Sequence, residues 1–370
     1  NDGKKVLAGA YQKRVFTSDD YGQTWTERKP AGNQNKNWAT GAVSANGMTM
    51  LVGDSSGRLY RSLNGGVNWQ ETQAAGNYDM NWMSSDISSD GTKMVAATYN
   101  NGAIYYSADS GQTWTNISHY YFGSNFWNIV AINDDGSRII AGVQNGQLYA
   151  FDYTGTTGYP GPFNLTTIEV FGPFNRLWRS ISMSPDGKKI LAASGDLDDG
   201  TLFYSTNSGD DWVKLWPVLG KYWNTVSMSN DGTKMLAAEF SGKLYYSTNS
   251  GNNWVEMRPE GLNLSTWFAV NVSGDGNKLM SSTYGTIPKG RMYRYINAQN
   301  GSSSSVIKQK SDPVYKKALP LDGKNIKKSS FMKVFEYVKA SVFDNEKEVN
   351  KDKIGMVSHL INWWKNLNIF

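Results

Sequence analysis

Apolar residues in the first three hundred positions come in short runs broken by glycine-bearing turns, the pattern of β-strands rather than helices. Two runs, Lys189-Ile-Leu-Ala-Ala193 and Lys234-Met-Leu-Ala-Ala238, are apolar and small throughout. Each follows a turn dipeptide, and Asn46-Gly47, Asp90-Gly91, Asp135-Gly136, Asp186-Gly187, Asp231-Gly232 and Asp275-Gly276 form one such series. Dipeptides of this kind between apolar runs predict hairpins. A Trp stands ahead of each: Trp38, Trp82, Trp127, Trp178, Trp223 and Trp267, spaced 44, 45, 51, 45 and 44 residues apart. The unit so defined holds four short strands, A to D, and repeated four-stranded units predict the blades of a β-propeller.

Each unit ends in a second fixed element. Ser18-Asp-Asp-Tyr-Gly-Gln-Thr-Trp25, Ser62-Leu-Asn-Gly-Gly-Val-Asn-Trp69, Ser107-Ala-Asp-Ser-Gly-Gln-Thr-Trp114, Ser205-Thr-Asn-Ser-Gly-Asp-Asp-Trp212 and Ser247-Thr-Asn-Ser-Gly-Asn-Asn-Trp254 share one pattern. Asp20, Asn64, Asp109, Asn207 and Asn249 are expected to accept backbone N–H groups two residues on, and the Gly to supply positive φ. The role is structural: a turn staple with the Trp packed under the hairpin. The pattern resembles the Asp box, or BNR repeat, of the sialidase-like propellers, a group that includes sortilin-type receptors, xyloglucanases and photosystem II assembly factors. The resemblance covers roughly residues 1–310. It implies a fold, and an extracellular, luminal or exported setting, better than an activity.

The reading is therefore an all-β, seven-bladed propeller of four-stranded blades with Asp-box turns. A partial blade at 1–30 precedes blades near 37–73, 81–118, 126–170, 177–215, 222–258 and 266–310. The first enters at its A–B turn, Asp2-Gly3, and its strand A is expected to have been removed upstream. The chain begins at Asn1 without an initiator Met, which predicts a mature, trimmed or incomplete form. In the fourth blade Asp152-Tyr-Thr-Gly-Thr-Thr-Gly158 replaces the box, and in the seventh Asn297-Ala-Gln-Asn-Gly301 stands at the turn, with Ser305–Lys310 as its last strand. Residues 311–370 differ: Phe331–Val338 and Ile354–Ile361 space apolar residues three and four apart, predicting a small α-helical segment.

Composition agrees, with 38 Gly, 14 Trp, 21 Tyr and 14 Phe, and the lack of Cys excludes disulfides and thiolate metal sites. The net charge of +5 is uneven: 24 Lys+Arg against 25 Asp+Glu before residue 301, then 13 Lys against 7 Asp+Glu. The ring is near neutral and the tail basic, which argues against a nucleic-acid binder. No apolar run is long enough for a membrane span and no signal-peptide pattern appears. Asn116, Asn164, Asn263, Asn271 and Asn300 head glycosylation sequons, compatible with a secreted, luminal or cell-surface protein.

Catalysis of the sialidase type needs an arginine cluster, and the ten Arg here are scattered. Glycosidases need two facing carboxylates, and Asp54, Asp196, Asp198, Asp199 and Glu239 are the loop candidates, with turn or surface roles expected. His119 and His359 alone make no ordinary zinc site, and neither a metal nor a cofactor is expected. The binding case is stronger. The resemblance to Asp-box propellers implies that A–B and Asp-box turns occupy one face and the B–C and D–A loops the other, where function is expected. The six Trp open strand A at the mouth of the channel on that loop face. They are read as inter-blade wedges or as an aromatic-ringed pocket for a sugar or an inserted peptide. The residue after each Trp varies (Ala39, Met83, Asn128, Arg179, Asn224, Phe268), as a binding surface would. With Glu239, the six Trp, Asn128, Arg179 and Asn224 form the candidate ligand set. The expected function is a non-catalytic binding or scaffold propeller that takes a protein or glycan, with the tail serving assembly through a protein partner or an anionic surface. The alternative is a glycoside hydrolase or lyase with a carboxylate pair on the same face.

Overall fold

The computed structural model describes residues 2–99, 102–118, 126–155, 163–170, 175–196, 200–215, 221–259, 265–283 and 291–296. Contacts divide the chain into Asn1–Gln309 and Lys310–Phe370, and only the first unit holds described residues. The helices expected at 331–338 and 354–361, the strand at 305–310 and His359 lie outside them, as do His119, Asp198 and Asp199.

All regular structure in the described residues is strand, every pairing is antiparallel, and most join strands that follow one another in the chain; Tyr11–Lys13 with Lys36–Val43 and the end of Arg138–Gly146 with the start of Arg176–Met183 are short contacts between successive repeats. One repeat serves for the others. Its strands A to D are Trp82–Ile87, Met94–Thr98, Ile104–Ser107 and Thr115–Asn116, adjacent in that order. Four-stranded meanders also open at Lys36, Trp127, Arg176 and Trp223. The first sheet has Val6–Gly9, Val15–Ser18 and Thr26–Arg28; the last has Trp267–Val272, Lys278–Thr283 and Met292–Ile296. Strands B are buried along their whole length in Met94–Thr98, Ile190–Ser194 and Met235–Glu239. A strand covered on both faces needs small apolar residues rather than alternation, which accounts for the Ala-Ala pairs.

The core lies between sheets. Val95, Ala97 and Ile104 of one pack on Trp127, Val130 and Ile139 of the next, and the same layer recurs along the chain. The ends of the series meet. Lys278 Nζ stands 4.8 Å from the centre of the Tyr21 ring, Arg294 donates to the Tyr21 carbonyl at 3.5 Å, and Met280 lies against Gly22. Sheets packed face to face in a closing series make the fold a β-propeller.

The Asp boxes form as expected but with a different bond. Asp20 accepts the N–H of Thr24, four residues on, at 2.8 Å, and the Thr24 hydroxyl at 2.6 Å. Asn64, Asp109, Asn207 and Asn249 likewise accept from Asn68, Thr113, Asp211 and Asn253. The expected bond two residues on belongs instead to the A–B turns, where Asp90 accepts Thr92 N–H at 2.9 Å. The difference follows from length: two successive left-handed residues, Tyr21 and Gly22 in the first box, carry the chain one step further before it returns. The Trp25 indole then donates to the Gly22 carbonyl at 3.1 Å. Backbone bonds such as Ser110 N–H to Thr92 carbonyl tie each box to the A–B turn of its own sheet. Neighbouring A–B turns are joined in series as well, Ala45 to Ser89, Ser89 to Asp134 and Asp134 to Pro185.

The fourth sheet has no box, and its outer strands lengthen. Leu148–Tyr153 and Phe163–Ile168 pair over six residues without a register shift, whereas strand C in each boxed sheet has four. Where no Ser hydroxyl turns the chain, the ladder runs on.

Candidate functional site

The six Trp lie inside the protein: Trp38 is 6% exposed and the others at most 1%. Five indoles donate to a carbonyl in the preceding sheet: Trp38 to Lys13, Trp82 to Gly57, Trp127 to Gly102, Trp178 to Gly146 and Trp267 to Gly242, at 3.0–3.1 Å. A ring so enclosed offers no face to a ligand. Of the two readings of Trp38, Trp82, Trp127, Trp178, Trp223 and Trp267, this burial favours the wedge, and the five indole bonds tie Trp38, Trp82, Trp127, Trp178 and Trp267 to earlier segments of the chain. The donor–acceptor separation is 25 residues in four of these pairs, a regularity present in the sequence.

The residue after each Trp is a bulge. In all six sheets the register between strands A and B slips there, stepping over Ala39, Met83, Asn128, Arg179, Asn224 and Phe268. A bulge inserts one extra residue into its strand and re-aims that side chain. The side-chain alternation restarts after it, so the Trp and the small residues downstream do not form one period-two row. Those small residues have their own task. Ser84 accepts Val130 N–H, Ser180 accepts Val226 N–H and Ser182 accepts Met228 N–H, at 3.0–3.1 Å across the inner strands.

The six bulge residues ring the inner end of the loop face, and the polar ones reach sideways. Asn128 donates to the Trp178 carbonyl at 2.6 Å and Asn224 to the Trp267 carbonyl at 2.7 Å, so both bridge sheets. Arg179 donates to the Tyr222 hydroxyl, with its guanidinium 5.0 Å from the centre of that ring. Burial pushes the Arg179 guanidinium below its usual range, and Tyr99 and Asp196 act in the opposite sense. Tyr222 in turn meets Phe240 edge-on at 5.4 Å, and Tyr99 meets Phe126 at 5.0 Å. Phe126, Phe240 and Phe268 are exposed. Arg179 thus interacts with Tyr222 and Tyr99, which carry Phe240 and Phe126 against their own rings, and none of these four aromatic residues was singled out in the sequence. Only their loop position could have marked them.

The carboxylates are held apart. Asp54 accepts Asn37 N–H at 3.2 Å and faces Lys36 at 3.4 Å. Asp196 accepts Leu177 N–H at 2.9 Å and faces Arg176 at 3.8 Å. Glu239, buried, faces Lys221 at 3.6 Å and takes a hydrogen bond from the Tyr245 hydroxyl. Each faces a cation where strand B ends beside the start of strand A, at the loop-face end of its own sheet, so the three work singly. Glu239 is there buried against Lys221.

One carboxylate is unlike the rest. Asp86, on an inner strand, accepts Ile87 N–H and Ile132 N–H, both at 2.9 Å. Burial pushes its pKa up to about 6, against the lowering effect of those two bonds.

A family model described as photosynthesis system II assembly factor YCF48 matches residues 4–271. The fold is similar to that of YCF48 bound to D1 peptide, at 15% identity over 80% of this chain and 89% of that one, with a TM-score of 0.58. YCF48 from Cyanidioschyzon merolae matches at 15% identity over 80% and 92%, TM-score 0.58. The GH74 xyloglucanase from Xanthomonas campestris matches at 15% identity over 80% of this chain but 50% of that one, TM-score 0.59. Likeness at these identities is one of fold, which is shared by a peptide binder and a hydrolase. No curated protein matches the chain in sequence.

Proposed function

From the premise that the chain belongs to the photosynthesis system II assembly factor YCF48 family, we propose a non-catalytic, protein-binding propeller that holds an extended segment of its partner on the loop face. The observation that carries this reading is the set around Arg179. One cation stacked on Tyr222, with Phe240 against that ring and Tyr99 and Phe126 paired beside it, suits a peptide that presents a carboxylate or carbonyl beside apolar side chains. Three corner carboxylates each occupied by a cation give the hydrolase alternative no support.

The finer expectations belong to the same proposal. The ring has seven blades over residues 1–310, residues 311–370 form a separate Lys-rich part that serves assembly, and the setting is luminal or exported. No helix of the described residues is long and apolar enough to cross a membrane.

The D1 peptide is the natural probe, because a YCF48 structure carries it. Calorimetric titration of the full chain with that peptide is expected to give saturable binding that Arg179→Glu and Phe268→Ala each weaken. Lys93→Glu, on the opposite face, leaves it unchanged. Binding indifferent to both loop-face changes removes the site, and turnover of a glycan by the full chain removes the non-catalytic reading.

A further inference from the structure

We propose that Asn145 is a site of spontaneous deamidation, and that the isoaspartate it yields loosens the joint between the fourth sheet and the fifth. The proposal goes beyond the loop-face reading and does not depend on it.

The reaction needs an asparagine whose side chain can swing onto the amide nitrogen of the next residue, and a glycine there leaves that nitrogen least shielded. The Gly146 nitrogen attacks Asn145 Cγ. The new N–Cγ bond forms as the Cγ–Nδ2 bond breaks, and ammonia departs with the amide proton. Water then opens the five-membered succinimide at either carbonyl, giving aspartate or isoaspartate. No oxidant or enzyme takes part.

Three Asn-Gly pairs lie among the described residues, and the structure treats them differently. Asn46 Oδ1 accepts the Ser44 hydroxyl at 2.8 Å and Met48 N–H at 2.9 Å, while Gly47 N–H donates to the Ser44 carbonyl. Asn64 Oδ1 accepts the Ser62 hydroxyl at 3.0 Å and Asn68 N–H at 2.8 Å, while Gly65 N–H donates to the Met48 carbonyl. In both pairs the carbon to be attacked and the nitrogen that attacks it are held by other partners. Asn145 is exposed, and its side chain has no hydrogen bond among the described residues. It stands at a bulge, where the register between Arg138–Gly146 and Arg176–Met183 slips, with a left-handed φ of 54°.

Gln12 sharpens the contrast. It occupies the matching bulge of the first sheet, between Tyr11↔Asn37 and Lys13↔Lys36, and its φ is also 54°. With a longer side chain and Lys13 after it, Gln12 cannot close the same five-membered ring.

The position gives the change its effect. Isoaspartate routes the main chain through Cγ and so lengthens it by one carbon. That carbon falls between Gln144 and Gly146, which pair with Leu177 and Arg176 of the next sheet. The Gly146 carbonyl also accepts the Trp178 indole at 3.0 Å. The longer chain cannot keep both pairings and the indole bond.

Incubation of the full chain at mildly alkaline pH, read site by site through peptide mapping with isoaspartyl methyltransferase labelling, tests this. Asn145 is expected to convert about tenfold or more faster than Asn46 and Asn64, whose side-chain bonds must break first. In urea, where those bonds are gone, the three should convert at similar rates. Asn145→Gln should fold, as Gln12 does at the matching bulge. After equal incubation it should keep a higher urea midpoint than the unchanged protein. Conversion of Asn145 no faster than that of Asn46 and Asn64 in the folded chain overturns the site, and so does a preference for Asn145 that persists in urea. Equal midpoints once Asn145 has converted overturn the loosening of the joint.

Discussion

Among single residues Asp86 has the most to say about solution behaviour. Its folded pKa, about 6, lies above the ordinary carboxylate value of 3.8, because burial outweighs its two N–H bonds, and Asp134 adds to the rise. The folded state therefore binds this proton more tightly than the unfolded chain does. Stability from this group is full below about pH 4, falls as pH rises to about 6 and is flat beyond. The lowered carboxylates Asp20 and Asp275, held down to about 2 by hydrogen bonds despite burial, act in the opposite sense and at lower pH. Asp86→Asn should remove the slope between pH 4 and 6.5, a relative gain on the order of 2 kcal/mol at neutral pH. Urea unfolding of both proteins at the two pH values measures it; parallel curves would refute the assignment. The same scale separates what the sequence made legible from what it hid. Asp20 and its four counterparts were readable because the whole turn is written in eight consecutive residues. The bulge at Arg179 was not, since a register slip exists only relative to the opposing strand, and no run of consecutive residues records it.

Among elements, the order of strands A to D followed from the short apolar runs and the Gly turns between them. What alternation could not supply was the direction of each Trp. A Trp at the head of a strand reads equally as a lining residue or a wedge; the acceptor decides, and it sits in another sheet. Gly57, Gly102 and Gly242 each precede their Trp by 25 residues, so the signal was present as a spacing between repeats rather than within one. Trp127→Phe keeps the ring and removes the donor to Gly102, and should cost about 1–2 kcal/mol in urea unfolding. Trp127→Ala, which also opens a cavity between two sheets, should cost about 3–5 kcal/mol. A Trp127→Phe protein as stable as the unchanged one would mean that the bond contributes nothing.

At the level of the whole molecule, a series of sheets that share every core layer and meet at their ends has no free-standing part. The contacts of Tyr21 with Lys278 and Arg294 join the first sheet to the last. Urea unfolding followed by tryptophan fluorescence and by far-UV circular dichroism should give coincident curves with a single midpoint. Separate transitions would show that neighbouring sheets are less coupled than their shared core implies. The near-neutral ring and basic tail were legible from charge alone. The partner was not, because Tyr222 and Tyr99, which interact with Arg179, come from different sheets and share no motif.

The indole clamps also give the ring a temporal order. Trp82, Trp127, Trp178 and Trp267 each find a carbonyl acceptor 25 to 32 residues earlier in the chain, in a segment translated before their own. As the chain leaves the ribosome, every new sheet meets a template already made, so maturation runs from the amino end and no sheet waits for a partner not yet synthesised. The junction between the last sheet and the first stands outside that rule and is the closing event of biogenesis.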